Sequence, residues 1–206
     1  YRLKKAYENV KYRFVEDLDR VFHRTKYLNW LLRDAQGAVV GVWDTDVAIT
    51  YGQISDAVKA IRTGRAVMSF PYDGRFYTLS PEDSDLFVRD RFFERLDELV
   101  KTSHLAHGPH SVGGAFLVNR KVYLHSGGEN EHFYGWGPED AERVKRMEIL
   151  GLPVYRASGP LFHLYHPRQE NSWYGSADIE LENRQEFLNV CSMTQEELQK
   201  YVQAWY

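Results

Sequence analysis

The sequence has few of the features that would assign it to a special class of protein. It has a single cysteine, Cys191, which excludes an internal disulfide framework. Its 26 basic and 29 acidic residues give a net charge of only −3, so neither nucleic acid nor a membrane surface is an expected partner. No segment approaches the ~18 consecutive apolar residues of a membrane span. The 206 residues, 43% of them hydrophobic, suffice for one sizeable domain rather than two.

Strand-like and helix-like segments alternate along the chain, which predicts an α/β fold. The apolar run 38–43 (AVVGVW) predicts a strand buried on both faces, as in a parallel sheet. Residues 80–83 (SPED) predict a helix start, and residues 194–197 (TQEE) predict a capping box that opens the last helix. The polar segment 167–177 is interpreted either as a mobile lid or as an ordinary loop.

Two carboxylates, Asp44 and Asp46, follow the apolar run with one residue between them. An unpaired buried carboxylate is costly, so the pair must reach solvent or meet a positive group. Alternate residues of an extended chain share one side, and ligands of α/β sheets bind beyond the carboxyl ends of strands. The pair therefore suits a divalent cation with open positions for phosphate, although the pattern is also common by chance.

A histidine pair, His163 and His166, adds a second candidate for metal binding. Residues three apart on a strand face opposite sides, so the two imidazoles converge only if the chain bends between Pro160 and Pro167. Imidazole together with carboxylate suits Mn²⁺ better than Mg²⁺. The alternative is one core histidine and one solvated histidine. Another group lies in a loop interrupted by glycine and proline and is interpreted as solvated: His104, His107 and His110.

The stretch 133–140 (FYGWGPED) places Trp136 between two glycines, just before the acidic pair Glu139 and Asp140. Acidic residues are favourable at a helix N-terminus, but this does not explain a tryptophan flanked by glycines. A ring face for stacking beside a carboxylate that can accept a hydroxyl proton is what a catalytic sugar pocket needs.

These pieces, taken in order, resemble motifs of the β-1,4-galactosyltransferase family and of the related chondroitin N-acetylgalactosaminyltransferases. Each motif is weak alone, whereas the ordered set from about Val10 to His166 is specific. The matching stretches are 22–29 (FHRTKYLN, similar to F-N-R-A-K-x-L-N), 43–46 (WDTD, similar to D-V-D), the pair Gly113–Gly114, 134–140 (YGWGPED, similar to W-G-W-G-G-E-D) and 159–166 (GPLFHLYH, similar to G-L-F-H-L-W-H).

The resemblance implies a GT-A fold, in which a single Rossmann-like mixed sheet is flanked by helices, together with a UDP-sugar donor and Mn²⁺. It implies that Asp46, His163 and His166 hold the metal, with Asp44 near the ribose or just behind the metal ligands. It implies that Asp140 is the catalytic base. The other substrate-binding positions that it implies are Phe22, Arg24, Ser111, Gly113, Gly114, Trp136 and Glu139.

The chain also departs from the family pattern. A first-strand motif, P-F-R-x-R, is absent, so we expect that strand to be missing from this chain. Pro138 replaces a glycine and Ala141 replaces a third acid. Ser111 falls where galactose-specific members carry a bulky tyrosine, and the small side chain leaves room for an N-acetyl group. N-acetylgalactosamine is therefore as credible a donor sugar as galactose.

We expect one glycosyltransferase domain over residues 1–206. Residues 1–110 form its nucleotide-sugar and metal half, 111–166 its acceptor and catalytic-base half, and 167–206 a lid-like loop and C-terminal helix. The expected reaction is inverting, Mn²⁺-dependent transfer of galactose or N-acetylgalactosamine to a glycan hydroxyl. Two alternatives remain: a metal-dependent nucleotidyltransferase or hydrolase using Asp44 and Asp46, and a catalytically inactive glycan-binding domain. The sequence shows no anchor, which favours a cytoplasmic bacterial enzyme, although a Golgi luminal domain has the same sequence features.

Overall fold

Helices and short strands alternate along the chain in the computed structural model, which describes residues 9–106, 108–167 and 174–205. The helices are α1 (Arg24–Asp34), α2 (Tyr51–Arg62), α3 (Pro81–Asp90), a 3₁₀ helix (Phe93–Lys101), α4 (Arg120–His125), α5 (Glu139–Ile149), α6 (Ala177–Ser192) and α7 (Gln195–Gln203). The strands are β1 (Val39–Trp43), β2 (Val47–Ala48), β3 (Met68–Phe70), β4 (Phe76–Thr78), β5 (His104–Leu105), β6 (Ala115–Asn119), β7 (Val154–Arg156) and β8 (Leu161–His163).

The strands form two four-stranded sheets, with the orders β1-β6-β3-β7 and β2-β8-β4-β5. Each sheet is mixed, because β3 pairs parallel to β7 and β4 pairs parallel to β8, while the other pairs are antiparallel. The predicted α/β class is confirmed, as is the mixed-sheet architecture flanked by helices that the GT-A resemblance implies. The strands nevertheless lie in two sheets, where one sheet was expected.

The chain changes sheets in the turn between β1 and β2. The Asp44 N–H donates to the Gly114 carbonyl (2.9 Å) and the Val47 N–H donates to the Asp44 carbonyl (3.2 Å). This turn ends the pairing of β1 with β6 and directs β2 toward β8. The same turn carries both aspartates of the Asp-x-Asp stretch, so the division into two sheets also places the candidate ligands.

Strand β1 is an edge strand that pairs antiparallel with β6. The expectation of a strand buried on both faces is therefore wrong: Val42 is buried, Gly41 is exposed and the other residues are half-buried. The apolar run has another explanation. Val42 belongs to the main hydrophobic core, Val40 and Trp43 pack against it, and the same stretch lines one wall of a cleft beneath α1.

Two fully buried arginines of α5, Arg143 and Arg146, form part of the protein interior. Arg146 pairs with Glu142 (2.9 Å) and donates to the carbonyls of Ser126 and Gly128. Because a buried charge is stable only when it is paired and hydrogen-bonded, this network fixes the segment that precedes the Trp136 stretch.

Several predictions concern segments that the structure describes only in part. Between residue 9 and β1, the described chain contains α1 and no strand. Residues 168–173 of the predicted lid-like loop and His107 of the second histidine group lie outside the described residues. In the described ranges, every helix is too short or too polar to cross a bilayer.

Replacing Arg146 with methionine should lower the free energy of unfolding by about 3–5 kcal/mol, because it leaves the Glu142 carboxylate buried without its cation. Urea unfolding measures this loss, and adding Glu142→Leu should recover part of it. The control is Lys200→Met, which breaks the exposed pair with Glu196 at the same helical spacing and should cause no measurable change. Equal stability of the two single variants would contradict this account of the α5 interior.

Candidate active site

Asp46, His163 and His166 form a compact ligand group at the edge of the second sheet. Asp46 lies in the turn before β2, and His163 ends β8, opposite Val47 of β2. Asp46 Oδ2 lies 3.1 Å from His166 Nε2 and 3.5 Å from His163 Nε2. The three ligand atoms all lie within 4.8 Å of one another. The structure therefore brings together the three residues that the resemblance implied as metal ligands.

The two histidines converge because the chain bends after β8. The Leu164 N–H donates to the Asp46 carbonyl (2.8 Å) and the Tyr165 N–H donates to Ser84 Oγ (2.8 Å). These two bonds turn the backbone, so that His166 returns to the side of His163. The bend that the histidine spacing required is confirmed.

The chemistry of this group fits a divalent cation. Asp46 Oδ1 is buried and has no hydrogen-bond partner among the described residues. Burial lowers the pKa of His163, although the Asp46 carboxylate opposes this shift, so the neutral, ligating form of the imidazole is favoured. One carboxylate and two imidazoles leave further positions open to a ligand. The described members of the other histidine group, His104 and His110, are exposed.

Asp44 does not join this group. Its Oδ1 accepts a hydrogen bond from Arg24 Nη2 (2.9 Å), and Arg24 is the first residue of α1. The expectation that Asp44 and Asp46 face the same side is wrong, because the chain between them is a turn rather than an extended strand. Burial raises the pKa of Asp44, and the Asp140 and Asp46 carboxylates act in the same direction, whereas Arg24 opposes the shift.

Arg24 also reaches the acidic pair at the start of α5. Its Nη1 lies 3.6 Å from Glu139 Oε1 and 3.7 Å from Asp140 Oδ1, and this buried nitrogen has no hydrogen-bond partner in the described part of the chain. Burial opposes the charge on Arg24, but the Asp140 and Asp44 carboxylates raise its pKa. One guanidinium therefore brings the turn after β1 and the start of α5 into a single cleft.

Asp140 accepts a hydrogen bond from Arg143, a residue that the sequence analysis did not identify. Arg143 Nη1 donates to Asp140 Oδ1 (2.6 Å), and Arg143 Nη2 donates to Glu129 Oε2 (2.7 Å). Tyr123 completes this network by donating to Glu129 Oε1 (2.8 Å). The spacing of three residues between Asp140 and Arg143 on one helix was the available signal. The partner carboxylate, Glu129, lies in an irregular segment and had no comparable signal.

The other oxygen of Asp140 lies against the glycine pair. A Cβ atom on Gly113 would stand 2.9 Å from Asp140 Oδ2, which real side chains essentially never tolerate. Gly114 has a φ of +82° and presents its carbonyl to the Asp44 N–H. Ser111 is half-buried on the same segment, and its carbonyl accepts from Arg156 (3.0 Å). The glycine pair thus forms the cleft floor between Asp44 and Asp140.

Glu139 is buried beside Asp140, and its Oε2 has no hydrogen-bond partner among the described residues. Burial, with a further contribution from the Asp140 carboxylate, raises the pKa of Glu139 to about 7. Its protonation state therefore changes in the neutral range, unlike that of an ordinary surface glutamate.

Two partly exposed aromatic rings lie on the segments that lead into α1 and α5. Phe22 is 53% exposed and stacks on Tyr27 at 5.7 Å, beside a cavity of about 410 Å³. Trp136 is 44% exposed and meets Tyr174 edge-to-face at 4.6 Å. The cavity is lined by Phe22, Arg24, Tyr27, Leu28, Leu31, Leu32, Val40, Gly41, Val42, Trp43 and Asp44. Its volume is in the range of small-molecule sites.

Comparison with known proteins identifies one family and two curated relatives. A family model described as the N-terminal domain of galactosyltransferase matches residues 98–170, which contain the glycine pair, the acidic pair and both histidines. Beta-1,4-galactosyltransferase 7 of Mus musculus and that of Homo sapiens are each 31% identical to the chain over 90 residues. The aligned region is 44% of this chain and 22% of each relative, so the match spans about a fifth of the length of these relatives.

Replacing Glu139 with glutamine should flatten the dependence of stability on pH. The folded protein keeps the Glu139 proton up to a pKa of about 7, whereas the unfolded chain loses it near pH 4. The folded state therefore loses stability as pH rises from about 4 to 7. Urea unfolding at several pH values should show a smaller fall for Glu139→Gln than for the wild type. Glu148→Gln, exposed on the same helix, is the control and should keep the wild-type slope. An unchanged slope in Glu139→Gln would contradict the raised pKa.

Proposed function

We propose that this protein transfers a sugar from a UDP-sugar donor to a hydroxyl group of a glycan acceptor, a proposal supported by the similarity of residues 98–170 to the N-terminal domain of galactosyltransferase. The observation that carries the proposal is the position of Arg24. It lies between Asp44, on the side of the metal-ligand group, and Asp140, at the start of α5. A donor site and a catalytic carboxylate therefore open into one cleft.

The proposed reaction is a single inverting displacement. Asp140 accepts the proton of the acceptor hydroxyl while that oxygen forms a bond to the anomeric carbon. The bond between the anomeric carbon and the diphosphate oxygen breaks, and UDP departs with the electron pair. One base suffices, since retention of configuration would require a second carboxylate as nucleophile. Arg143 occupies Asp140 Oδ1, which leaves Oδ2, next to Gly113, as the proposed proton acceptor.

Asp46, His163 and His166 are the residues that would hold Mn²⁺. When bound, the ion supplies positive charge that stabilises the diphosphate leaving group. The fit rests on the unpartnered Oδ1 of Asp46 and on the neutral form of His163 that burial favours.

The nucleotide is proposed to occupy the cavity beside Phe22. The exposed face of Phe22, backed by Tyr27, offers a stacking surface for a base, and stacking on an aromatic ring is favourable for any base. Arg24 keeps Asp44 in place at the cavity wall, where its carboxylate remains partly exposed to accept from the ribose.

The donor sugar is proposed to lie between the glycine pair and the acidic pair. Trp136 and Glu139 shape this pocket, with Ser111 on the segment that leads into Gly113. Because serine is small at this position, the pocket admits either galactose or N-acetylgalactosamine.

A catalytically inactive glycan-binding domain of the same fold is the second candidate. A nucleotidyltransferase or hydrolase that uses Asp44 and Asp46 as joint metal ligands is disfavoured, because Asp44 is bound to Arg24 rather than turned toward Asp46.

Asp140→Asn should reduce transfer by about 10²–10⁴-fold, because the isosteric amide cannot accept the hydroxyl proton. UDP should still bind in the presence of Mn²⁺, since Asp140 lies outside the ligand group. Turnover assays and calorimetry measure the two effects separately. Asp85→Asn, an exposed residue of α3, is the matched control and should transfer at the wild-type rate. Full activity of Asp140→Asn would overturn the assignment of the base.

A further inference from the structure

We propose that Asn183 is a positioning residue that sets the place of the Trp136 indole, on the segment that leads into α5. Asn183 lies on α6 and its side chain is buried, with 1% of the residue exposed. Its Oδ1 accepts from the Tyr134 N–H (3.2 Å), and its Nδ2 donates to the carbonyls of Tyr134 (2.9 Å) and Trp136 (3.0 Å). A single buried amide thus makes three hydrogen bonds to the backbone on both sides of Gly135.

The two glycines around Trp136 allow this contact. A Cβ atom on Gly137 would lie 2.7 Å from Asn183 Nδ2, and one on Gly135 would lie 2.8 Å from Val21 Cγ1. Gly135 also has a φ of +71°, which side chains rarely adopt. The backbone of residues 134–137 is therefore confined between Val21 and Asn183. These close contacts explain why glycines stand on both sides of Trp136, which helix capping does not explain.

Helix α6 also contacts the chain just before residues 134–137, and a tyrosine that precedes α6 contacts the Trp136 ring. Glu186, one turn after Asn183, accepts from Asn130 Nδ2 (2.6 Å). Tyr174, shortly before α6, meets the Trp136 ring edge-to-face at 4.6 Å. On the opposite side, Thr25 of α1 donates to the Phe133 carbonyl (3.0 Å). The segment that carries the exposed indole is thus fastened by polar contacts from two helices.

The consequence for catalysis rests on the proposed function. Trp136 lies four residues before Asp140 in the chain, and its partly exposed indole offers a face on which the apolar side of an acceptor sugar can stack. A small misplacement of a positioning group can cost two orders of magnitude in rate. Asn183 therefore acts on acceptor binding through Trp136 and does not touch the substrate itself.

Two variants and one control test this role. Asn183→Leu removes all three hydrogen bonds, whereas Asn183→Asp keeps the acceptor for the Tyr134 N–H and removes both donations. Gln185→Leu, exposed on the same helix, is the control. The readouts are the ¹⁹F resonance of Trp136 in 5-fluorotryptophan-labelled protein, assigned with Trp136→Phe, and the KM values for acceptor and donor.

Both Asn183 variants should shift or broaden the Trp136 resonance and raise the acceptor KM by about 10-fold, with a smaller rise in the donor KM because Trp136 is also proposed to border the donor-sugar pocket. Gln185→Leu should change neither readout. If Asn183→Leu does not fold, Asn183→Asp alone decides the question. A purely structural residue would lower kcat through a smaller folded fraction and leave the resonance and both KM values unchanged, which would overturn the proposal. A moved resonance in a protein whose wild type transfers no sugar would overturn the proposed function and support the positioning role.

Discussion

The ion pair between Arg24 and Asp44 is the contact on which the arrangement of the cleft depends. Without the guanidinium, the carboxylates of Asp44, Glu139 and Asp140 would face one another across a partly buried space, where like charges repel strongly. The pair is only partly buried, with 25% of the Arg24 side chain and 43% of the Asp44 side chain exposed, so losing Arg24 leaves the carboxylates unpaired but still partly hydrated. Arg24 thus joins α1, the turn after β1 and the start of α5, and the same turn carries Asp46 of the candidate metal-ligand group.

A second constraint on the cleft is that glycine is needed at positions where the backbone closely approaches a polar side chain. Gly113 lies against Asp140, and Gly137 lies against Asn183, each at a distance that a Cβ atom does not allow. Hydrogen bonds and ion pairs to buried polar groups such as Arg143 also hold the residues around the cleft. Such networks specify geometry well because each unsatisfied member is costly.

Features that depend on local chemistry could be predicted from the sequence. The caps at Ser80 and Thr194 are confirmed, since a capping residue bonds within its own first turn. Features set by pairing between distant strands could not be predicted. Neither the edge position of β1 nor the division into two sheets has a signal in an apolar run. The partner of Asp44 lies 20 residues away on another element, and Asn183 lies 47 residues after the tryptophan that it holds.

We propose that this cleft uses a nucleotide-sugar and a divalent cation in one transfer step. The most direct test of this proposal is an assay of UDP-galactose and UDP-N-acetylgalactosamine with a panel of glycan acceptors, in the presence of Mn²⁺ and after chelation. The account predicts Mn²⁺-dependent formation of a glycoside whose anomeric configuration, read by NMR, is inverted relative to the donor. A product that retains the donor configuration, or the absence of transfer from every donor with intact UDP binding, would contradict it.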